Sequence, residues 1–439
     1  MVNTNKTPTF NMKVVVQETG IKPDTLRAWE RRYGLPEPDR TQGGHRLYSQ
    51  YDIDLLKWLL SRQEEGMSIS RAAKLWRQME EEGRDPLLLT DSIAPTETAK
   101  TDLNISGDMI AKTREAWLRS CLDYNEPEAQ RILVQAFALY PVELVCSEVL
   151  QKGLSEIGKG WYEGRVSVQQ EHFTSSLAVR QLEVMLSSMT QASRHGRILV
   201  ACPPNEQHTF GALVLTLLLR RRGWEVIYLG ANVPVQRLEE SLTTINPHLV
   251  VVSAQTLQSA STMLEMANLL QRVGIPLAYG GLVFNQIPAL RQHIAGHFLG
   301  EDLQKAPHTI EQLFHSPREQ HQPKQATAQH LEAIDHFSRH RPEIEAQVQA
   351  TMRHNDLPPD LLKFTNQELG NNLTAALQLG DVTLLEPNIS WVAGLLNNYQ
   401  YQLPQQLLDQ YIQTYRTVIQ QHLDPEKGKL ILDWFADLH

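Results

Sequence analysis

The 439-residue chain has few cysteines and no long apolar run. Its cysteines, Cys121, Cys146 and Cys202, are far apart and form no C-x-x-C pair, which argues against a disulfide framework or a structural zinc site. We interpret them as reduced thiols in the core. The longest apolar segments, such as LVLTLLL, are much shorter than the ~20 residues of a membrane-spanning helix. The start, MVNTNKTPTF, lacks the apolar stretch of a signal peptide, so we expect a cytoplasmic protein with no membrane partner.

Basic residues are also in deficit, because 41 Lys and Arg stand against 50 Asp and Glu, for a formal net charge of −9. A nucleic-acid-binding role would therefore need a local basic module. Residues 1–48 provide one, with eight Lys or Arg and five Asp or Glu, a net charge of +3. With 41% hydrophobic and 21% charged residues, a chain of this length predicts a folded protein of several domains.

Changes in composition and periodicity divide the rest of the chain. The polar segments 84–106 and 317–328 have the composition of linkers. Residues 107–193 have helical apolar spacing, residues 194–316 contain short apolar runs of strand length with amphipathic segments between them, and residues 329–439 return to helices. Continuous apolar strands with helical crossovers predict a parallel, doubly wound sheet. The predicted fold class is therefore multidomain, all-α and α/β.

Residues 1–83 are predicted to bind DNA. Residues 14–34 read as helix, tight turn and second helix, and the glycine pair that follows permits a hairpin tip, so we predict a helix-turn-helix with a wing. Charge alone is equally compatible with a solvated helix. The stretch TLRAWERRYGLPEPDRTQGGHRLYS, however, resembles the MerR-family winged-helix domain over roughly residues 10–80. The resemblance implies major-groove contacts by Thr25, Arg27 and Arg31, with Arg32 on the same basic surface, and wing contacts to the DNA backbone by His45, Arg46 and Tyr48.

The module departs from the MerR pattern at its end. MerR relatives usually continue into a long dimerisation helix, whereas here EEEGRDP and a linker follow Met79. Operators read by such helices are usually paired half-sites, so a monomer would bind them poorly. We therefore expect a homo-oligomer, a dimer or a tetramer, whose contacts lie elsewhere in the chain.

The first predicted strand of the α/β segment is followed by Glu206-x-His208. This is the end of a strand where doubly wound sheets bind ligands, and imidazole is a good ligand for transition metals. A lone loop histidine is more often a surface residue. The wider pattern resembles the cobalamin-binding Rossmann-like domain, which implies that His208 is the lower axial cobalt ligand. The other cofactor-binding residues implied by this resemblance are Glu206, Gly211, Ser253, Gln255, Leu257, Gly280 and Gly281.

The preceding helical segment carries a tryptophan followed, after nine residues, by Glu-His. The pattern resembles the capping motif of CarH-type photoreceptor repressors, whose four-helix bundle covers the upper face of cobalamin. It implies that Trp161 packs against a 5′-deoxyadenosyl group and that Glu171 and His172 contact that group or the bundle. Without the neighbouring domain, a core tryptophan and a helix start would explain the same residues. In that family a histidine that captures cobalt after photolysis follows the tryptophan, whereas this chain has Tyr162.

The last segment, residues 329–439, resembles no family known to us. Its aromatic residues have helical spacing and are predicted to lie in a core, so the segment is an oligomerisation or a partner-binding domain. For the whole chain the first hypothesis is a transcriptional regulator, most simply a repressor, controlled by adenosylcobalamin and its photolysis. The alternatives are a light-insensitive regulator that senses cobalamin or a protein partner, and a corrinoid carrier for methyl transfer. No nucleophile and base set suggests an enzyme.

Overall fold

The computed structural model describes residues 8–40, 44, 46–64, 69–81, 99–189, 192–315, 322–353, 359–385 and 405–437. The chain divides into two compact units, residues 1–104 and residues 105–439. Several predictions concern residues outside the described ranges, namely the DNA contact His45, residues 84–98 of the first predicted linker, residues 317–321 of the second, and the aromatic residues Trp391, Tyr399 and Tyr401.

The amino-terminal unit is a helix-turn-helix with a small antiparallel sheet, as predicted. Its helices are α1 (Met12–Thr19), α2 (Pro23–Tyr33), α3 (Gln50–Glu64) and α4 (Ile69–Glu81), and its strands β1 (Phe10–Asn11), β2 (Asp39–Arg40) and β3 (Arg46–Tyr48) are in the order β1-β3-β2. Pro23 begins α2, and Gly34 ends it with a left-handed backbone at φ +61°. Leu26 and Trp29 point into the core, where they join Trp76 of α4.

The second unit begins with a helical bundle. It consists of α5 (Ala99–Leu122), α6 (Glu126–Leu139), α7 (Val142–Leu144), a π-helical turn (Val145–Gln151), α8 (Lys152–Tyr162) and α9 (Val168–Ser187). Tyr140 and Pro141 separate α6 from α7. Helix α5 begins at Ala99, inside the segment predicted as the linker 84–106. Asp, Asn, Ser and Gly at positions 102–107 are weak helix formers, which is why the sequence pattern placed the start of the bundle later.

The α/β domain follows, with strands β4 (Arg197–Ala201), β5 (Glu225–Gly230), β6 (Leu249–Ser253), β7 (Leu277–Gly280) and β8 (His297–Phe298). All pairs are parallel and the order is β5-β4-β6-β7-β8, which confirms the predicted doubly wound sheet. The helices are α10 (Phe210–Arg221), α11 (Leu238–Ile245), α12 (Leu257–Val273), α13 (Leu282–Gln286) and α14 (Ala306–His315). We call the side on which β4, β6 and β7 end the carboxyl edge. Leu213 and Leu217 of α10 pack into the core of the bundle.

The carboxyl-terminal segment is helical, as predicted. Its helices are α15 (Ala328–Met352), α16 (Pro359–Leu379), α17 (Gln405–His422) and α18 (Lys429–Asp437). Tyr411, Tyr415, Trp434 and Phe435 are buried, in agreement with a core role for the described aromatic residues. Residues of α16 and of α12 belong to one continuous hydrophobic cluster, so these helices do not form a separate core.

All three cysteines are buried and free, as predicted, and burial raises the pKa of each thiol to about 12. They are therefore protonated and unreactive at neutral pH. Among the helices described, none has both the length and the apolar character needed to cross a bilayer.

Candidate cofactor site and nucleic-acid interface

Glu206 is the centre of a hydrogen-bond cluster at the carboxyl edge. Its side chain is 1% exposed. One oxygen, Oε1, accepts hydrogen bonds from the backbone N–H (2.8 Å) and the Nδ1 (2.7 Å) of His208. The other, Oε2, accepts from the backbone N–H of Gln255 (2.6 Å) and from the hydroxyl of Ser259 (2.7 Å). Burial raises the pKa of Glu206, but these hydrogen bonds outweigh burial and lower it overall, so the carboxylate stays charged at neutral pH.

His208 is held by one ring nitrogen and presents the other. Its side chain is 69% exposed, while Nδ1 is fixed by Glu206, so Nε2 is left to bind a ligand outside the loop. The hydrogen bond to Glu206 raises the pKa of His208, burial opposes this, and the charge of Glu171 adds to the rise. Glu171 belongs to the bundle, so the bundle and the α/β domain face each other at this histidine.

The loops after β6 and β7 are tied together beside this cluster. Gln255 Nε2 donates to Ser253 Oγ (2.9 Å), and Gln255 Oε1 accepts from the backbone N–H of Leu282 (2.9 Å). Gly281 has φ +125°, and a Cβ there would lie 1.9 Å from the carbonyl oxygen of Ala254, so only glycine fits. Around Gly280, by contrast, a Cβ would meet nothing within 4 Å.

Two further residues predicted to contact the cofactor, Gly211 and Leu257, lie in the first turns of helices α10 and α12. Gly211, in the first turn of α10, faces Ser253, since a Cβ there would lie 3.9 Å from Ser253 Oγ. Leu257 is 2% exposed and belongs to the core of the α/β domain. The side chain of Leu257 begins α12 facing inward, so a contact between Leu257 and a cofactor, which stays a prediction, would involve its backbone.

Sequence reasoning missed Ser259. This residue is fully buried, and its hydroxyl donates to Glu206. It belongs to a capping box in which the side chains of Thr256 and Ser259 bond each other's backbone N–H at the start of α12. The signal available in the sequence was the T-x-x-S spacing at this helix start, but Ser at the third position is less typical than Glu or Gln.

The predicted capping residues lie on α8 and α9. Trp161 is half-buried against the bundle core, one residue before the end of α8. Glu171 accepts hydrogen bonds from Ser175 Oγ (2.6 Å) and lies 2.8 Å from Nδ1 of His172. His172 is 75% exposed and is therefore not part of the core, and Glu171 is the residue that contacts its ring. Burial raises the pKa of Tyr162, whose hydroxyl is therefore protonated at neutral pH.

The residues of this site suit a metal ion that is already coordinated by the other atoms of its cofactor. Among the described residues no group of three or more His, Cys, Asp or Glu side chains could hold a metal ion. One exposed imidazole with a buried carboxylate behind it can supply a single axial bond to a metal already held in a macrocycle. The adjoining loops are lined by small residues: there is open space beside Gly280, and Gly211 faces Ser253. The residues present therefore fit a cobalt corrinoid.

In the amino-terminal unit, α2 presents the predicted DNA-contacting residues. Thr25, Arg27, Arg31 and Arg32 are all exposed, opposite the buried face of the helix. Arg27 makes an ion pair with Asp24 (3.3 Å) that is exposed on both sides and so leaves its guanidinium accessible. The helix therefore offers a basic surface to a polyanion.

The two described wing residues, Arg46 and Tyr48, both contact Glu30. Tyr48 is fully buried, and its hydroxyl donates to Glu30 Oε1 (2.5 Å), so it does not reach a DNA backbone in this structure. Arg46 Nε donates to Glu30 Oε2 (2.7 Å) and is partly exposed, which leaves its remaining N–H groups for a phosphate. Glu30 lies on α2, so one carboxylate joins the exposed helix to strand β3 of the wing. In the structure without DNA, Tyr48 supports the wing through Glu30, and its contact with DNA stays a prediction.

Comparison with known proteins identifies three matching segments. Residues 10–79 match the family model for MerR HTH family regulatory proteins, and residues 113–184 and 196–305 each match a B12 binding domain model. The chain is 32% identical over 300 residues to the HTH-type transcriptional repressor CarH of Myxococcus xanthus, across 67% of this chain and 96% of that protein. It is 30% identical over 295 residues to CarA of the same organism, across 66% and 90%. It is 22% identical to trimethylamine corrinoid protein 1 of Methanosarcina mazei over 174 residues, 38% of this chain and 78% of that protein.

Proposed function

The chain belongs to the family of MerR-type transcriptional repressors with cobalamin-binding domains that includes CarH and CarA, and from this membership we propose that adenosylcobalamin controls its assembly and its binding to operator DNA. The observation that carries the proposal is the tethered His208. Its free Nε2 lies at the carboxyl edge, and Glu171 of the matching bundle domain is close enough to raise its pKa.

The residues of the site have distinct roles in this proposal. His208 is the lower axial ligand, and Glu206 orients it and holds its tautomer. Gly211, Ser253, Gln255, Gly280 and Gly281 line the path of the nucleotide tail, while Trp161, Glu171 and His172 face the adenosyl group from the bundle. When bound, adenosylcobalamin supplies a cobalt–carbon bond that visible light can break.

Exposed apolar side chains of the bundle support assembly into an oligomer. Met109, Val134, Leu139 and Val184 are each more than half exposed, at 55%, 61%, 74% and 63%. We propose that these side chains belong to one patch, since a contiguous apolar patch on a folded domain marks an association surface. The described part of the amino-terminal unit offers only a short α4 where MerR relatives usually have a dimerisation helix, so the sensing domains would pair the winged helices.

One experiment tests cofactor, light response and assembly together. The full chain is loaded with adenosylcobalamin in darkness, and its absorbance spectrum, its mass by size-exclusion chromatography and its affinity for duplexes selected from a random DNA pool are measured before and after green light. We expect a larger species that binds DNA in darkness and a smaller, weaker-binding species after illumination. An unchanged mass and affinity after a photolysed spectrum would refute light control.

A light-insensitive cobalamin regulator is the second candidate, and Tyr162 favours it. A protonated phenol is a much poorer ligand for cobalt than imidazole, so position 162 does not supply an imidazole that could capture the metal after photolysis. In that case DNA binding responds to added cobalamin but not to illumination. If His208→Ala leaves DNA binding intact, a protein partner is the more plausible signal.

The third candidate, a corrinoid carrier, has support only from the partial match to the trimethylamine corrinoid protein. The matched MerR segment and the exposed arginines of α2 have no role in methyl transfer. Methyl transfer to the loaded chain by a partner methyltransferase, with no binding to any selected duplex, would favour this candidate over a regulator.

A further inference from the structure

The carboxyl-terminal helix α16 lies alongside α12 of the α/β domain and runs in the same direction. Near the start of α12, Gln258 Nε2 donates to Glu368 Oε2 (3.3 Å). At the other end, the carbonyl of Leu379 accepts a hydrogen bond from Nδ1 of the buried His293 (2.7 Å). His293 lies in the segment that enters β8, on the side of the sheet opposite the carboxyl edge.

The first turns of α16 extend beyond the amino-terminal end of α12. Helix α16 begins at Pro359, nine residues before Glu368, and nine residues of helix span about 14 Å. The contact partner Gln258 is only the second residue of α12, and α12 starts in the loop after β6. The amino-terminal part of α16 therefore stands beside the carboxyl edge, where His208 and the loops after β6 and β7 meet.

Phe364 lies on the part of α16 that extends beyond α12. It precedes Glu368 by four residues, so the two side chains lie on the same face of the helix, one turn apart. Glu368 contacts α12 at Gln258, near the first residue of that helix. One turn earlier in α16, Phe364 therefore lies beyond the start of α12, and it is 41% exposed. Its neighbours Leu361, Leu362 and Thr365 are buried. An aromatic side chain is thus left partly uncovered at the rim of the proposed cofactor site.

We propose that Phe364 is a cofactor-contacting residue, so that the carboxyl-terminal domain forms a third wall of the corrinoid site beside the bundle and the α/β domain. Its ring offers an apolar surface to the methyl-rich rim of a corrin macrocycle. The inference rests on the proposed function. It concerns a part of the chain that lies beyond the last matching family model, which ends at residue 305.

The test compares two alanine variants of the full chain. Phe364→Ala removes the proposed contact, and Leu331→Ala is the matched control, because Leu331 is 60% exposed in the first turn of α15. That turn lies at the far end of α16, since a Cβ on Gly380 would meet the backbone of Ala326 at 2.9 Å. Adenosylcobalamin affinity is measured in darkness by calorimetry, and hydrogen exchange is followed in the first turns of α16 with and without cofactor.

We expect Phe364→Ala to weaken binding by about tenfold, as burial of part of a phenyl ring would predict, with no change for Leu331→Ala. The cofactor should also slow hydrogen exchange in residues 359–367 of the unaltered protein. If the unaltered chain binds no cobalamin, the proposed function fails together with this inference. If it binds while Phe364→Ala keeps the same affinity and exchange is unaffected, only this inference fails. Equal weakening by both variants would also overturn it, since a general loosening of the domain would then explain the effect.

Discussion

Replacing Glu206 by Gln should weaken cobalamin binding by about 10–100-fold, the usual cost of losing a carboxylate behind a metal-binding histidine. The carboxylate accepts four hydrogen bonds of 2.6–2.8 Å and is 1% exposed. The carboxamide keeps one acceptor oxygen and presents an NH2 group to donors that already need an acceptor. One hydrogen bond to a buried charge is worth about 1.5–3 kcal/mol, and at about 1.4 kcal/mol per factor of ten this gives the same range.

The affinity is measured in darkness by calorimetric titration of the full chain with adenosylcobalamin. A second readout is the pKa of His208 in the cofactor-free protein, followed by NMR of the imidazole. It should fall in Glu206→Gln towards the ordinary value of about 6.5, because the hydrogen bond to Glu206 is the main cause of its rise. Glu225→Gln is the matched control, since Glu225 undergoes the same loss of charge in an ion pair with Arg197 (2.8 Å) at the opposite edge of the sheet.

Two results would refute this reasoning. Binding within twofold of the unaltered protein would mean that Glu206 does not orient a metal ligand. A large loss of affinity with an unchanged pKa of His208 would mean that the variant acts by disturbing the loop and not through the imidazole. A thermal melt of each variant separates the second case from simple unfolding.

Three further predictions concern other parts of the chain. Glu30→Gln should lower the unfolding free energy of the amino-terminal unit by about 1–3 kcal/mol and weaken duplex binding, because it releases two wing residues; a variant with unaltered melting and DNA affinity would contradict this. Gly281→Ala should destabilise the fold by at least about 2 kcal/mol through its clash with Ala254, whereas Gly280→Ala should melt normally and reduce cobalamin affinity; equal melting of the pair would count against the crowding argument. Burial lowers the pKa of His293, so the unfolded chain takes up a proton at a higher pH than the native protein, and stability should fall as the pH drops below 6.5; a His293→Gln variant with the same pH dependence between pH 7 and 5.5 would refute this.

The parts of the fold that could be predicted are those with local signals. The short apolar runs of residues 194–316 predicted a parallel, doubly wound sheet, which the structure confirms, and the pattern of residues 14–34 predicted two helices joined by a turn. The loop after β4 was predicted as a ligand site because the position of a residue at a strand end follows from topology alone. Spacing within a single loop was likewise enough to pair Glu206 with His208.

The features that sequence reasoning missed depend on contacts between distant segments. Ser259 lies 53 residues from Glu206, and its own helix does not show whether a buried capping hydroxyl also bonds a carboxylate. The burial of Tyr48 depends on a core built from several helices and on Glu30, which lies on α2. The inward side chain of Leu257 was not predictable for the same reason, since the first residue of a helix can face a ligand or the core.

The described helices of the carboxyl-terminal segment share their core with the α/β domain. Linker-like composition before residue 329 predicted a separate module, but Leu369 and Leu373 of α16 share one buried cluster with Met266 and Leu270 of α12. A domain tethered only by a linker would keep its own core and could be removed without effect, whereas here removal would expose an apolar face of α12. Because α12 also carries Ser259, one hydrogen bond connects this helix to the carboxylate that holds His208. The carboxyl-terminal domain is therefore in a position to respond to the state of the cofactor site, and a partner that binds it is in a position to alter that site in return.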